Sequence, residues 1–166
     1  GIIDFVEETR VPVMLISSRN QVDCAELGGG HAVNWTTEAY SKYVASRGVP
    51  EVLLCRDHCG PYFRAEESGL NLHDAVESTK QTIKADIDAN FDLIHIDSCF
   101  CPDQEIEIAQ ELISYAKEEA SRAGREILVE VGTDENTGYP PTSEEFEADL
   151  KKILEFVDPL FVVGQT

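Results

Sequence analysis

Basic residues are scarce in this chain. Thirteen Lys and Arg stand against 32 Asp and Glu, leaving a formal net charge of -19 over 166 residues. Nucleic acid and anionic membranes are held through basic patches, so neither is expected as a partner. A phosphorylated small molecule is not excluded, because it needs only a few local donors. The acid excess reads either as a solvated acidic surface or as adaptation to salt. No apolar run approaches 18 residues, so no membrane span is predicted. The opening GIIDFVEETR has no basic stretch ahead of its apolar residues and does not read as a secretory signal. Neither a Walker lysine motif nor a GxGxxG pattern is present, which removes both common nucleotide motifs. Histidine is limited to His31, His58, His73 and His95. The cysteines, Cys24, Cys55, Cys59, Cys99 and Cys101, are odd in number, and reduced thiols in a cytoplasmic protein are expected.

What the chain does have is a regular beat. Short apolar segments rich in Val, Ile and Leu fall at 11–18, 51–57, 92–98, 126–132 and 159–165. Such runs are the mark of parallel strands covered on both faces. Between them the apolar residues recur at steps of three and four. Leu72, Val76, Thr79, Ile83 and Ile87 form one such stripe, and Ile106, Ala109, Ile113, Ala116 and Ala120 another. Gly124 is a plausible stop for the second. A third helix opens on the capping-box pattern Thr142 to Glu145 and presents Phe146, Leu150, Ile153 and Val157. Further helices are predicted over 37–47, ending at Gly48, and over 2–9.

Strand starts recur every 33 to 41 residues, about the length of one βα unit. An open doubly wound sheet and part of a (β/α)8 TIM barrel both fit. The chain opens on a helix and stops just after a strand. The expectation is therefore an α/β fold, a single domain over 1–166 that forms an incomplete TIM barrel of about five βα units. The first strand would lie ahead of residue 1 and the last units beyond residue 166.

In either architecture chemistry gathers at the carboxyl ends of the strands. There the second strand delivers Arg56, Asp57, His58 and Cys59, within VLLCRDHCGPYF. The third delivers His95, Asp97, Cys99 and Cys101, and the fourth Glu130 followed by GTDENTG. The last delivers Gln165 and Thr166. Residues two apart share a strand face, so His95 and Asp97 point together, as do Cys55 and Asp57. His58 lies just past the strand, where a loop can turn it inward. Imidazole suits zinc, and a neighbouring carboxylate can move a proton. His95 reads equally as a core histidine or a ligand, His31 as a loop residue or a functional one, and His73 as a solvent-side residue. Cys59, Cys99 and Cys101 read as a thiolate site or as ordinary buried thiols. The ELGGGH segment reads as a phosphate cradle or as a plain flexible loop.

Four segments, NQVDCAELGGGHAVNWTTEAY, LLCRDHCGP, FDLIHIDSC and EVGTDENTG, occur in this order. Together they resemble the D-tagatose-1,6-bisphosphate aldolase family of the Z-subunit type, a subunit often described as non-catalytic or chaperone-like. That family looks related to the class II, metal-dependent aldolases, which are βα barrels. The resemblance implies Asp57 as the acid/base and His58 as a ligand of a divalent metal, expected to be zinc. It implies a further catalytic carboxylate at Asp97 and a metal ligand at Glu130. It also implies carbohydrate metabolism, a phosphorylated sugar as substrate, and either retro-aldol chemistry or a role beside a separate catalytic aldolase subunit. A different barrel lyase or epimerase acting on a sugar is the remaining alternative. Asn20, Gln21 and His95 are candidates for contacts to the substrate, and an oligomer is expected. Class II aldolases take two more histidine ligands from later strands, and no histidine follows His95.

Overall fold

The computed structural model describes residues 1–132 and 142–163. Helix α1 (Ile2–Thr9) precedes strand β1 (Val13–Ser18). Then follow α2 (Thr37–Ser46), β2 (Val52–Cys59), α3 (Leu72–Asp88), β3 (Leu93–Asp97), α4 (Glu105–Arg122), β4 (Leu128–Gly132), α5 (Ser143–Leu154) and β5 (Phe161–Val163). Short 3-10 turns at Ala25–Leu27 and Ala65–Glu67 were not visible in the sequence pattern. The helix ends follow local chemistry. Thr36 and Asn71 accept the amides of Ala39 and Asp74, and Thr142 and Glu145 form the expected capping box. Gly48 and Gly124 take the left-handed conformation just past α2 and α4. Among the described residues no helix is long and apolar enough to cross a membrane.

Every strand pairs in parallel with the one before it, in the order β1-β2-β3-β4-β5. A doubly wound sheet reverses its order at a switch point, and the described strands have none. Right-handed crossovers in an unreversed order put the helices on one side. Burial agrees. Val52 and Leu54 pack with Ile3, Val6, Val44 and Phe91, while Ile94, Ile96, Val129 and Val131 pack with α3 and α4. The opposite face presents Met14, Ile16, Leu53, Leu128, Phe161 and Val163, each 36–52% exposed. The sheet is thus an arc of a βα barrel, with its helix side closed and its inner side open.

Beneath the strand ends lies a buried ionic network. The Arg56 guanidinium donates from Nε and Nη2 to the Asp86 carboxylate, both at 2.7 Å, and from Nη1 to the carbonyls of Ser17 and Val22. Neither Arg56 nor Asp86 is exposed at all. Arg19 is equally buried and pairs with Glu67 at 2.6 Å, while Arg64 pairs with Asp23 at 2.7 Å. The position of Arg56 corrects the reading that groups it with Asp57 and His58. It faces the helices, as does the fully buried Cys59. Removing one member of such a pair strands a charge in the interior. Asp86→Ala is expected to lower the unfolding free energy by about 3–5 kcal/mol in urea titrations followed by circular dichroism. A loss below about 1 kcal/mol, the range of surface pairs, would contradict this account.

Candidate active site at the strand ends

The site begins with an irregularity in β2. Arg56 is paired with Ile94 and Cys59 with Ile96, so three steps along β2 match two along β3. That is a β-bulge, which kinks a strand and re-aims its side chains. His58 sits at the bulge with φ 46°, a left-handed conformation uncommon for a residue with a side chain. The extra residue lets Arg56 and Cys59 both face the helices while Asp57 and His58 both emerge at the rim. His58 is therefore part of the strand rather than of the loop beyond it. Gly60 explains the next position: a Cβ there would overlap the Asp97 carbonyl oxygen, so only glycine lets the end of β2 lie against β3.

Two imidazoles and two carboxylates meet here. His58 Nδ1 lies 2.6 Å from Asp97 Oδ2, and His58 Nε2 lies 3.8 Å from Asp57 Oδ2. His95 Nδ1 lies 3.4 Å from Asp57 Oδ1, and the two rings are 5.4 Å apart. One donor atom each from Asp57, His58 and His95 fall within 4.8 Å of one another. Asp97 is buried and its other oxygen accepts the Cys99 amide at 3.1 Å, so it is well placed to orient the His58 ring. His95 is 3% exposed, and its Nε2 has no hydrogen-bond partner among the described residues. Gly132 makes room for that atom, because a Cβ there would lie 2.5 Å from it.

The electrostatics follow from these contacts. The hydrogen bond with His95 holds the Asp57 carboxyl below its ordinary range, against the opposing effect of burial. The contact with Asp97 raises His58 above its ordinary value. All five cysteines are buried and reduced. Burial pushes the thiol of Cys24 up to about 11 and that of Cys55 to about 12, and raises Cys59 and Cys101 as well. Burial thus disfavours the thiolate, and among the described residues none of Cys59, Cys99 and Cys101 belongs to a group of three possible metal ligands.

The other sequence candidates fall around this cluster. Glu130 stands opposite His95 on β4 but outside the group of three donors. Asn20 donates its amide to the Phe63 carbonyl at 2.6 Å, and the Gln21 side-chain oxygen accepts the Ser18 amide. The ELGGGH loop is not a phosphate cradle. The amides of Gly28, Gly29, Gly30, His31 and Ala32 all donate to carbonyls of neighbouring turns. His31 and His73 are exposed. The acidic stretch after Gly132, and Gln165 and Thr166, lie outside the described residues. The sequence reading missed Phe63, which stacks on the His58 ring at 4.8 Å and 17°. It also missed Arg19 and Glu67, which lie 48 positions apart and become partners only in the fold.

No protein-family description matches the chain, and no curated protein sequence matches it. Solved structures do. The crystal structure of a probable tagatose 6 phosphate kinase from Sinorhizobium meliloti 1021 matches with a TM-score of 0.70 at 20% identity, over 92% of this chain and 40% of that one. That of a "putative phosphonomutase" from Burkholderia cenocepacia J2315 matches with a TM-score of 0.51 at 20% identity, over 91% of this chain and 68% of that one. The chain thus spans about two-fifths of the first structure's length. At this identity the likeness is one of fold: an α/β arc of parallel strands alternating with helices.

Two outcomes follow from this geometry. In the absence of added metal ions, the His58 ring should titrate above 6.5, and Asp97→Asn should bring its midpoint down. Because the folded value is raised, the His58–Asp97 pair stabilises the fold below about pH 6.5 and loses that contribution as pH rises through the raised value. NMR titration of the ring protons reads this directly, and a midpoint indifferent to Asp97→Asn would contradict it. Gly60→Ala should separate β2 from β3 and lower the thermal midpoint by several degrees, as calorimetry would show.

Proposed function

We propose that the chain belongs to a divalent-metal-dependent aldolase-type lyase of carbohydrate metabolism, similar to the Z-subunit type of D-tagatose-1,6-bisphosphate aldolase, with a phosphorylated ketose as substrate. The observation that carries this reading is the convergence of Asp57, His58 and His95 at the carboxyl ends of adjacent parallel strands. The two imidazoles fit a zinc-type ion, with Asp57 beside them kept as the acid/base rather than as a ligand. His58 offers Nε2 because Nδ1 is engaged by Asp97. His95 is buried with one ring nitrogen unpartnered, and Glu130 stands on the next strand. Such an ion would supply Lewis-acid polarisation of a ketose carbonyl oxygen.

The chain's own residues account for the proton. Asp57 is held ionised by His95 and is half-buried at the rim. It accepts the hydroxyl proton at the carbon whose bond to its neighbour breaks. The hydroxyl oxygen becomes a carbonyl, and the electrons of the broken bond move toward the ketose carbonyl. The free side-chain oxygen of Asn20 and the side-chain nitrogen of Gln21 are the proposed contacts for substrate hydroxyls. Further βα units, closing the barrel over the open inner face, would shelter the site from water. The apolar exposure of Met14, Ile16, Leu53, Leu128 and Phe161 supports that closure.

A second reading is an accessory subunit beside a separate catalytic aldolase. It is favoured by the fact that only two of the four histidines reach the cluster. Metal analysis and ketose-bisphosphate cleavage assays of the full-length protein separate the two. On the catalytic reading, purified protein holds stoichiometric metal, and Asp57→Asn lowers cleavage by about 10²-fold or more while retaining it. Protein without stoichiometric metal, whose cleavage is indifferent to Asp57→Asn, would end the catalytic reading.

A further inference from the structure

His58 presents a physical problem. Its backbone is left-handed and its side chain is 47% exposed, yet its ring is set with Nδ1 on Asp97. A half-exposed imidazole with a single hydrogen bond would sample several rotamers. Strained backbone of this kind persists only where its surroundings determine it from several sides.

The surroundings come from the loop that follows β1, together with α3. Arg19 donates from Nη1 to the Gly60 carbonyl at 2.7 Å and from Nη2 to Glu67 at 2.6 Å. The other Glu67 oxygen accepts the Tyr62 amide at 2.7 Å, and Tyr62 is itself left-handed with φ 67°. Ser78 donates to Glu67, and Thr79 and Thr82 accept from Arg19, so the buried pair is fixed from α3. Asn20 then holds the Phe63 carbonyl at 2.6 Å. The end of this chain of contacts is the Phe63 ring, which lies against one face of His58 and is backed by Phe100 at 4.6 Å.

We propose that Phe63 is a positioning residue. By stacking on His58 it holds the imidazole with Nδ1 on Asp97 and Nε2 toward the cluster, and it is itself held in place by Asn20 and by the Arg19–Glu67 pair. The loop after β1 thereby sets the aim of a ligand carried by β2. The metal-affinity part of this proposal rests on the function proposed above. The orientation part does not.

The test uses the full chain with Phe63→Leu and Phe63→Tyr. Phe63 is only partly buried, so both variants should fold, and thermal unfolding checks that they do. In metal-free protein, the His58 ring protons should carry an upfield ring-current shift. Phe63→Leu should abolish it and Phe63→Tyr should keep it. In parallel, zinc affinity measured by chelator competition should fall about tenfold or more in Phe63→Leu, as for other residues that orient a ligand, and recover in Phe63→Tyr. A purely structural role would move the thermal midpoint without the His58 signals. Phe63→Leu with unchanged His58 resonances, or a loss that Phe63→Tyr does not restore, would overturn the proposal. Wild-type protein that shows the ring-current pattern but binds no zinc would overturn the metal reading and leave the orientation claim standing.

Discussion

Three guanidinium groups buried beneath the strand ends hold this half of the molecule in register. Arg56 ties β2 to α3 and to the carbonyls after β1, Arg19 ties the β1 loop to the β2 turn and α3, and Arg64 returns to Asp23. Arg19 and Arg56 have no access to water that could take over their hydrogen bonds, and Arg64 has little. Each must therefore find a carboxylate and a set of carbonyls in fixed geometry, or the fold loses several kcal/mol. An apolar core tolerates sliding of one methyl against another. A guanidinium with five or six directed bonds, as Arg56 and Arg19 have, does not. That rigidity is what allows a strained residue such as His58 to be kept at the rim.

The bulge in β2 converts this rigidity into chemistry. A regular strand alternates its faces, so Asp57 and His58 would point to opposite sides of the sheet. One extra residue puts both on the inner side and leaves Arg56 and Cys59 in the helix-facing layer. The neighbouring strand supplies His95 and Asp97 on the same face. Two Asp–His contacts result, and they differ in role. Asp97 fixes the orientation of His58, while His95 keeps Asp57 charged.

Much of the fold was legible in the sequence, because period-two and period-3.6 patterns depend on residues close in the chain. All five strands and five helices fall where those patterns place them, as do the stops at Gly48 and Gly124 and the Thr142–Glu145 box. Asp57 and His58 lie at the carboxyl end of β2, where the strand pattern placed them. The grouping of Arg56 and Cys59 with Asp57 and His58 failed because alternation alone cannot reveal a bulge. The partners of Arg19 were out of reach for a different reason: Gly60, Glu67 and Thr82 are joined to it only by topology, 41 to 63 positions along the chain. The three glycines before His31 allowed an anion cradle as readily as a plain loop. Only the backbone geometry shows their amides already spent on turns.

The order of the sheet has a consequence for how the chain is made. From β2 onward each described strand pairs with the strand synthesised just before it, and α3 and α4 each pack on the strand that precedes them. Among the described strands none pairs with a distant segment, so the loop closed at each step stays near one βα unit, and its entropic cost does not grow as the arc lengthens. A ribosome could release this architecture unit by unit, with every new strand added to an edge already in place.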